Sequence, residues 1–258
     1  MSRIHVSIAL AMLLGAFALV ASAGADRAAE MQQVDAFSKV NFGLPGELTL
    51  VKTEDPVVSI DATPKQLDDI VVEVRDGQLI IKQRRNRGWG PDLDDVKVQV
   101  GYQSLEGISV AGSGNILADT ISATDFTMAI GGSGEILMQA LDCETASISV
   151  AGSGDLRVNR LAADNVTTRI SGSGDINLAG EAGAQTLRIA GSGDYMAEEL
   201  RSAVADLTIA GSGTARVNVR ERISGSVAGS GDLFYRGEPD IAVRVAGSGS
   251  VSQVGAAL

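Results

Sequence analysis

The chain has 258 residues, 45% of them hydrophobic but only 3% aromatic, with 31 glycines, 5 prolines and a net charge of −11. The scarcity of aromatics argues against a conventional aromatic-rich core, and the glycine-to-proline balance excludes collagen. The acidity excludes nucleic acid and anionic lipid as electrostatic partners, because both require a basic surface.

Residues 1–23 read as a secretory signal peptide. Arg3 supplies the positive start, Val6 to Val20 the apolar run, and Ala21-Ser22-Ala23 the small-residue cleavage site. Export follows, to the periplasm, the cell surface or the medium. No cysteine stands at the end of the apolar run, so lipid attachment at this end is not expected. No later segment is apolar enough to span a membrane, so none is expected after cleavage. Cleavage removes Arg3 and His5 but no acid, which takes the net charge from −11 to −12. Residues 24–33 read as a linker.

From 34 to 104 the chain alternates apolar and polar residues in short runs. Strands are predicted over Phe37 to Asn41, Glu47 to Lys52, Val57 to Asp61, Ile70 to Arg75, Gln78 to Lys82 and Val96 to Val100. Arg75-Asp76-Gly77-Gln78 is a tight-turn signal. These are expected to be irregular first rungs that also cap the N-terminal end. Between them lies the least repetitive stretch, 84–95, with Arg84, Arg85, Arg87, the only tryptophan (Trp89), and then Asp92, Asp94 and Asp95. An exposed tryptophan beside arginines suits a sugar face or an acidic partner. The bland alternative is a loop folded on the rod whose two charge clusters answer each other.

From 105 to 252 a repeat dominates. Gly-Ser-Gly occurs eight times, centred on Ser113, Ser133, Ser153, Ser173, Ser192, Ser212, Ser230 and Ser248, at spacings of 18 to 20 residues. Before each tripeptide lies an alternating stretch such as Phe126, Met128, Ile130 or Leu207, Ile209. After it come a polar residue, usually acidic, and an apolar one, as in Asp155-Leu156 and Asp175-Ile176. One such unit cannot bury its own apolar face, so neighbours must stack. The prediction is an all-β, right-handed, single-stranded parallel β-helix with rungs of about twenty residues. The glycines would turn the corners, and the serines would ladder along the stack. Counting the irregular part, about eleven rungs are expected, roughly 50 Å of rod.

The order Phe37, strand pairs, Asp76-Gly77-Gln78-Leu79-Ile80-Ile81, Leu105-Glu106-Gly107-Ile108 and then Gly-Ser-Gly units resembles the auto-transporter adhesin head domain, or head GIN domain. The resemblance runs from about Val34 to Val251. It implies a bacterial exported β-helix of unknown function with an adhesin-like role, and it supplies no catalytic residues. A membrane barrel for self-transport is not expected, because Leu258 follows the last repeat closely.

The single histidine, His5, lies in the signal peptide, which removes histidine-based acid–base, nucleophile and zinc chemistry from the rest. Glu135, Asp155, Asp175 and Asp194 follow Gly-Ser-Gly on four consecutive rungs and would stack about 5 Å apart. No cofactor or metal is expected. Ca²⁺ along this row is the one candidate, against the alternative that the carboxylates accept turn N–H groups. Cys143, the only cysteine, reads as a small, partly buried thiol.

The sequence therefore points to a non-catalytic binding or structural module of the cell envelope that engages envelope polysaccharide or a protein. The alternatives are a polysaccharide-acting β-helical enzyme and a spacer that self-associates end to end near Val251.

Overall fold

The computed structural model describes residues 27–84 and 92–255. The strands are β1 (Ala28–Gln33), β2 (Lys39–Gly43), β3 (Glu47–Lys52), β4 (Val57–Ala62), β5 (Ile70–Arg75), β6 (Gln78–Gln83), β7 (Lys97–Tyr102) and β8 (Gly107–Gly112). Six long bent strands follow: β9 (Asn115–Gly132), β10 (Glu135–Gly152), β11 (Asp155–Gly172), β12 (Ile176–Gly191), β13 (Tyr195–Gly211) and β14 (Thr214–Gly229). The chain closes with β15 (Asp232–Arg236), β16 (Asp240–Gly247) and β17 (Ser250–Gln253). The one short helix described, α1 (Pro64–Leu67), carries a capping box between Thr63 and Gln66.

The long strands wind as stacked parallel coils, a β-solenoid of about 7 turns with rungs of roughly 20 residues. Each coil lies on the next in register. Glu135 sits on Asp155, Ile136 on Leu156 and Val150 on Ile170. Alternation decides which side chains enter. Ile130, Ile148, Val150, Ile170, Ile189 and Ile209 are buried, and the residues between them face outward. A mostly aliphatic stack of this kind fills a narrow coil with few large rings, Phe126 among them. Four polar or phenolic residues join it, Thr168, Gln185, Tyr195 and Ser202, all buried.

The corners explain the repeated tripeptide. Gly172 has φ +132, and a Cβ there would stand 2.2 Å from the carbonyl oxygen of Gly152 one rung away. Both the left-handed backbone and the close approach exclude any side chain. That approach lets the Ser173 N–H donate to Gly152 O at 2.8 Å, as the Ser153 N–H does to Gly132 O. The expected serine ladder is therefore a backbone ladder. The corner hydroxyls are exposed, and it is the serine N–H groups that bond along the stack.

The N-terminal region departs from simple winding. β6 and β7 come later in the chain than β2 and β3, yet they stack outside them. β8 and β9 lie on the inner side of β2 and β3. Beyond β6 and β7 the pairing reverses. β5 runs antiparallel to β6 through the Asp76-Gly77 turn, and β4 runs antiparallel to β7. The stretch read as a linker contains β1, which pairs antiparallel with β4. Ala28–Gln33 has no apolar alternation and stays largely exposed. Its strand rests on backbone pairing, which periodicity does not show. These reversals turn several expected rungs into an end cap, so about 7 turns replace eleven. Leu44-Pro45-Gly46 serves as an unmarked corner: the Asn115 N–H donates to Gly46 O at 3.0 Å, as the Glu135 N–H does to Gly114 O at 3.2 Å.

Arg27 fastens this cap. It meets Asp61 at 3.0 Å and also the carboxylate of Asp95. The buried Gln66 adds a 2.7 Å bond to Asp95 and another of 2.7 Å to the Asp92 carbonyl. These contacts, the Gln66 bond first and Arg27 next, lower the Asp95 carboxyl below its usual range against a smaller opposing effect of burial.

Candidate binding groove

One long side of the rod carries a groove of about 550 Å³. It crosses β10 to β14 where equivalent positions of successive rungs lie side by side: Asp142 on Ala162, Ala162 on Glu181, and Glu181 on Arg201. Its floor is small (Ala162, Ala163, Ala182, Gly183) and its rim charged. Asp142, Asp164 and Glu181 make the first part acidic, and Arg201 and Arg220 make the far end basic. Rung lengths shape it. The register shifts between Val158 and Leu161, between Asn177 and Ala179, and again between Ala197 and Arg201. At these points rungs of unequal length are brought back into register.

The rim charges are exposed. Glu181 and Arg201 form a 3.2 Å ion pair between rungs that are both open to solvent, so the pair contributes little to stability. It leaves both groups able to exchange partners. Cys143 lines the floor of the groove, and burial first, then Asp142, Asp125 and Asp164, push its thiol up to about 11. At neutral pH it is a protonated, weakly reactive thiol rather than a nucleophile.

The predicted acidic row is assembled, but in a structural arrangement. The Asp194 N–H donates to Asp175 Oδ1 at 3.0 Å, and the Asp175 N–H to Asp155 Oδ1 at 3.2 Å. Asp194 in turn accepts from the Thr214 N–H at 2.8 Å, and Asp232 from the Ser250 N–H at 2.9 Å. Asp155, Asp175, Asp194 and Asp232 thus each satisfy the backbone of the next corner, whereas above Glu135 the Asp155 N–H donates to Gly134 O at 3.1 Å instead. Among the described residues no three acidic, cysteine or histidine side chains gather closely enough to hold a metal ion.

Of the loop candidates, Arg85, Arg87 and Trp89 lie outside the described residues. Arg84 is exposed at the end of β6, its N–H bonded to Asp69 O at 2.7 Å, and it lines a smaller recess of about 250 Å³ with Glu30, Gln32 and Leu67. The acidic end of that loop is answered by Arg27 and Gln66. The signal peptide likewise lies outside the described residues. No helix among the described residues is long and apolar enough to cross a membrane.

Sequence reading missed the groove. The signal was present, since 142, 162, 181 and 201 recur at nearly the spacing of the Gly-Ser-Gly corners. Their identities vary from rung to rung, however, so only stacking the units in register reveals one charged line.

Several solved structures share the fold. The crystal structure of a "putative lipid binding protein" from Parabacteroides distasonis superposes with a TM-score of 0.80 at 23% identity, covering 89% of this chain and 97% of that one. A "putative adhesin" from Parabacteroides merdae gives 0.81 at 20% identity over the same shares. Another from Bacteroides fragilis gives 0.69 at 21%, covering 90% of this chain and 98% of that one. At these identities the likeness establishes the coil alone. No curated protein sequence matches this chain. The family model "Putative auto-transporter adhesin, head GIN domain" matches residues 36–239, somewhat less than the resemblance read from the motifs, and the chain belongs to that family.

Proposed function

We propose that this chain is an exported, non-catalytic binding module of the cell envelope, and that envelope polysaccharide or a protein partner lies along the groove of β10 to β14. The observation that carries this reading is the groove itself, about 550 Å³ in volume, which crosses five stacked strands and grades from an acidic to a basic lining. A groove that crosses five strands and is lined by small residues admits an extended chain, and exposed carboxylates and guanidinium groups offer hydrogen bonds to hydroxyls and charges along it. The adhesin family supports binding over catalysis. The chemistry agrees, because the one thiol is held protonated and the acidic row is engaged with backbone N–H groups. The sequence segment 84–95, which holds Trp89, is a second candidate contact region.

The test is retention of native envelope fractions by the immobilised chain. Asp164→Arg and Arg220→Glu alter exposed rim charges without touching the core. Loss of retention in both, with Trp89→Ala retained, supports the groove. Loss only in Trp89→Ala transfers the site to the loop. Undiminished retention by all three variants contradicts both sites.

A further inference from the structure

Among the described residues, nothing covers the last coil at the C-terminal end of the rod. β16 pairs only with β14, and β17 only with β15, among the described residues. The consequence shows in positions that are buried in every earlier coil. Ile223 is 0% exposed, and Ile241, stacked on it, is 41% exposed. Val227 is 1% exposed and Val245, stacked on it, 45%. An apolar inner face and a free strand edge stand together at one end. Beside them is a shallow recess lined by Gly225, Ser226 and residues 241–244. The N-terminal end contrasts with this, since reversed strands and α1 close it.

An edge of this kind extends a sheet with whatever strand matches it. The sequence of β16 matches itself. In an antiparallel pair of two copies centred on Ala242, Asp240 falls opposite Arg244 of the second copy, and the reverse, on the outer face. Ile241 falls opposite Val243 of the second copy on the inner face. Outward residues meet outward ones and inward residues meet inward ones, as pleating requires. Opposite charges directly across strands stabilise the pair. We infer that two copies of this chain join C-terminal end to C-terminal end through β16, in a two-fold arrangement that fuses two coils into one rod. Such an isologous contact closes on itself and gives a dimer rather than a fibre.

The test is the mass of the purified chain across a concentration series, by sedimentation or light scattering. The inference predicts a dimer. Arg244→Asp places like charges opposite each other twice and should weaken dimerisation at least about tenfold. Adding Asp240→Arg to it restores opposite signs and should restore the dimer. Both positions are exposed and face outward, so the coil itself is preserved in each variant. A monomer at all concentrations overturns the inference. So does a dimer indifferent to Arg244→Asp, a double variant that fails to recover, or a mass that grows past two copies. A chain lacking residues 254–258 that dimerises where the full chain does not would show that its own tail covers the edge, and would also overturn it.

Discussion

The phenol of Tyr195 donates a 2.7 Å hydrogen bond to Oε1 of Gln185, and both side chains are buried within the coil. Gln185 passes the chain on, its Nε2 donating to Ser202 Oγ at 2.8 Å. Ser202 lies within 3.4 Å of the Asn218 carbonyl. The line crosses β12, β13 and β14, so it ties three coils through their interior. Tyr195→Phe leaves the glutamine oxygen without a partner and should cost about 1–3 kcal/mol. Adding Gln185→Leu should recover part of that loss. Thermal unfolding of the single and double variants checks both effects. A Tyr195→Phe variant as stable as the parent would show that the network carries no net stabilisation.

The corner glycines are not equivalent. A Cβ at Gly112 meets nothing within 4 Å, whereas one at Gly172 collides with the Gly152 carbonyl oxygen at 2.2 Å. Both have positive φ, +123 and +132. Gly112→Ala should therefore cost only backbone strain, roughly 1–3 kcal/mol. Gly172→Ala should cost clearly more, because two coils must also move apart. Denaturant midpoints compare the pair directly, and equal losses would refute the close-approach argument.

The acidic row predicts a selective response to substitution and to chelation. Asp194→Ala removes the acceptor of the Thr214 N–H and should cost about 0.5–2 kcal/mol, as loss of a capping carboxylate does. Asp194→Asn keeps an acceptor oxygen and should lose much less. Chelators should leave the melting temperature unchanged, because the row acts through backbone hydrogen bonds. A melting temperature that rises with millimolar Ca²⁺ and falls in Asp175→Asn would instead assign the row to a cation.

Cys143 makes a prediction in pH. Burial is the largest influence on its thiol, which is raised from 9.0 to about 11. The fold thus favours the neutral thiol. Its contribution is complete below about pH 9 and is lost as pH climbs through about 11. At pH 8 alkylation of the native chain should run roughly 100-fold slower than that of the unfolded chain, from thiolate fraction alone. Equal rates measured by mass spectrometry would contradict the burial seen here.

The coil was legible because its physics is repeated. Eight Gly-Ser-Gly corners and the alternation around Ile130, Val150 and Ile170 report the same stacked environment, and each copy reinforces the last. The N-terminal cap was not legible. Its strands from β2 to β7 alternate like any others, but whether a strand runs parallel or antiparallel, or returns outside an earlier one, depends on contacts far apart in sequence. That a carboxylate such as Asp175 accepts a turn N–H group is one of the readings the sequence offers, and only the geometry of two corners shows that the donor is Asp194, one rung on. Glu181 and Arg201 were missed because a groove is a property of stacked rungs of unequal length rather than of any one of them.

Hydrogen–deuterium exchange of the chain with and without native envelope material tests the central claim, that partners lie along the groove. Slowed exchange is predicted in 141–145, 161–165, 180–184 and 200–204, the stacked segments that hold Asp142, Asp164, Glu181 and Arg201. Protection confined to the opposite faces of the rod, with these segments unchanged in the presence of bound material, would contradict it.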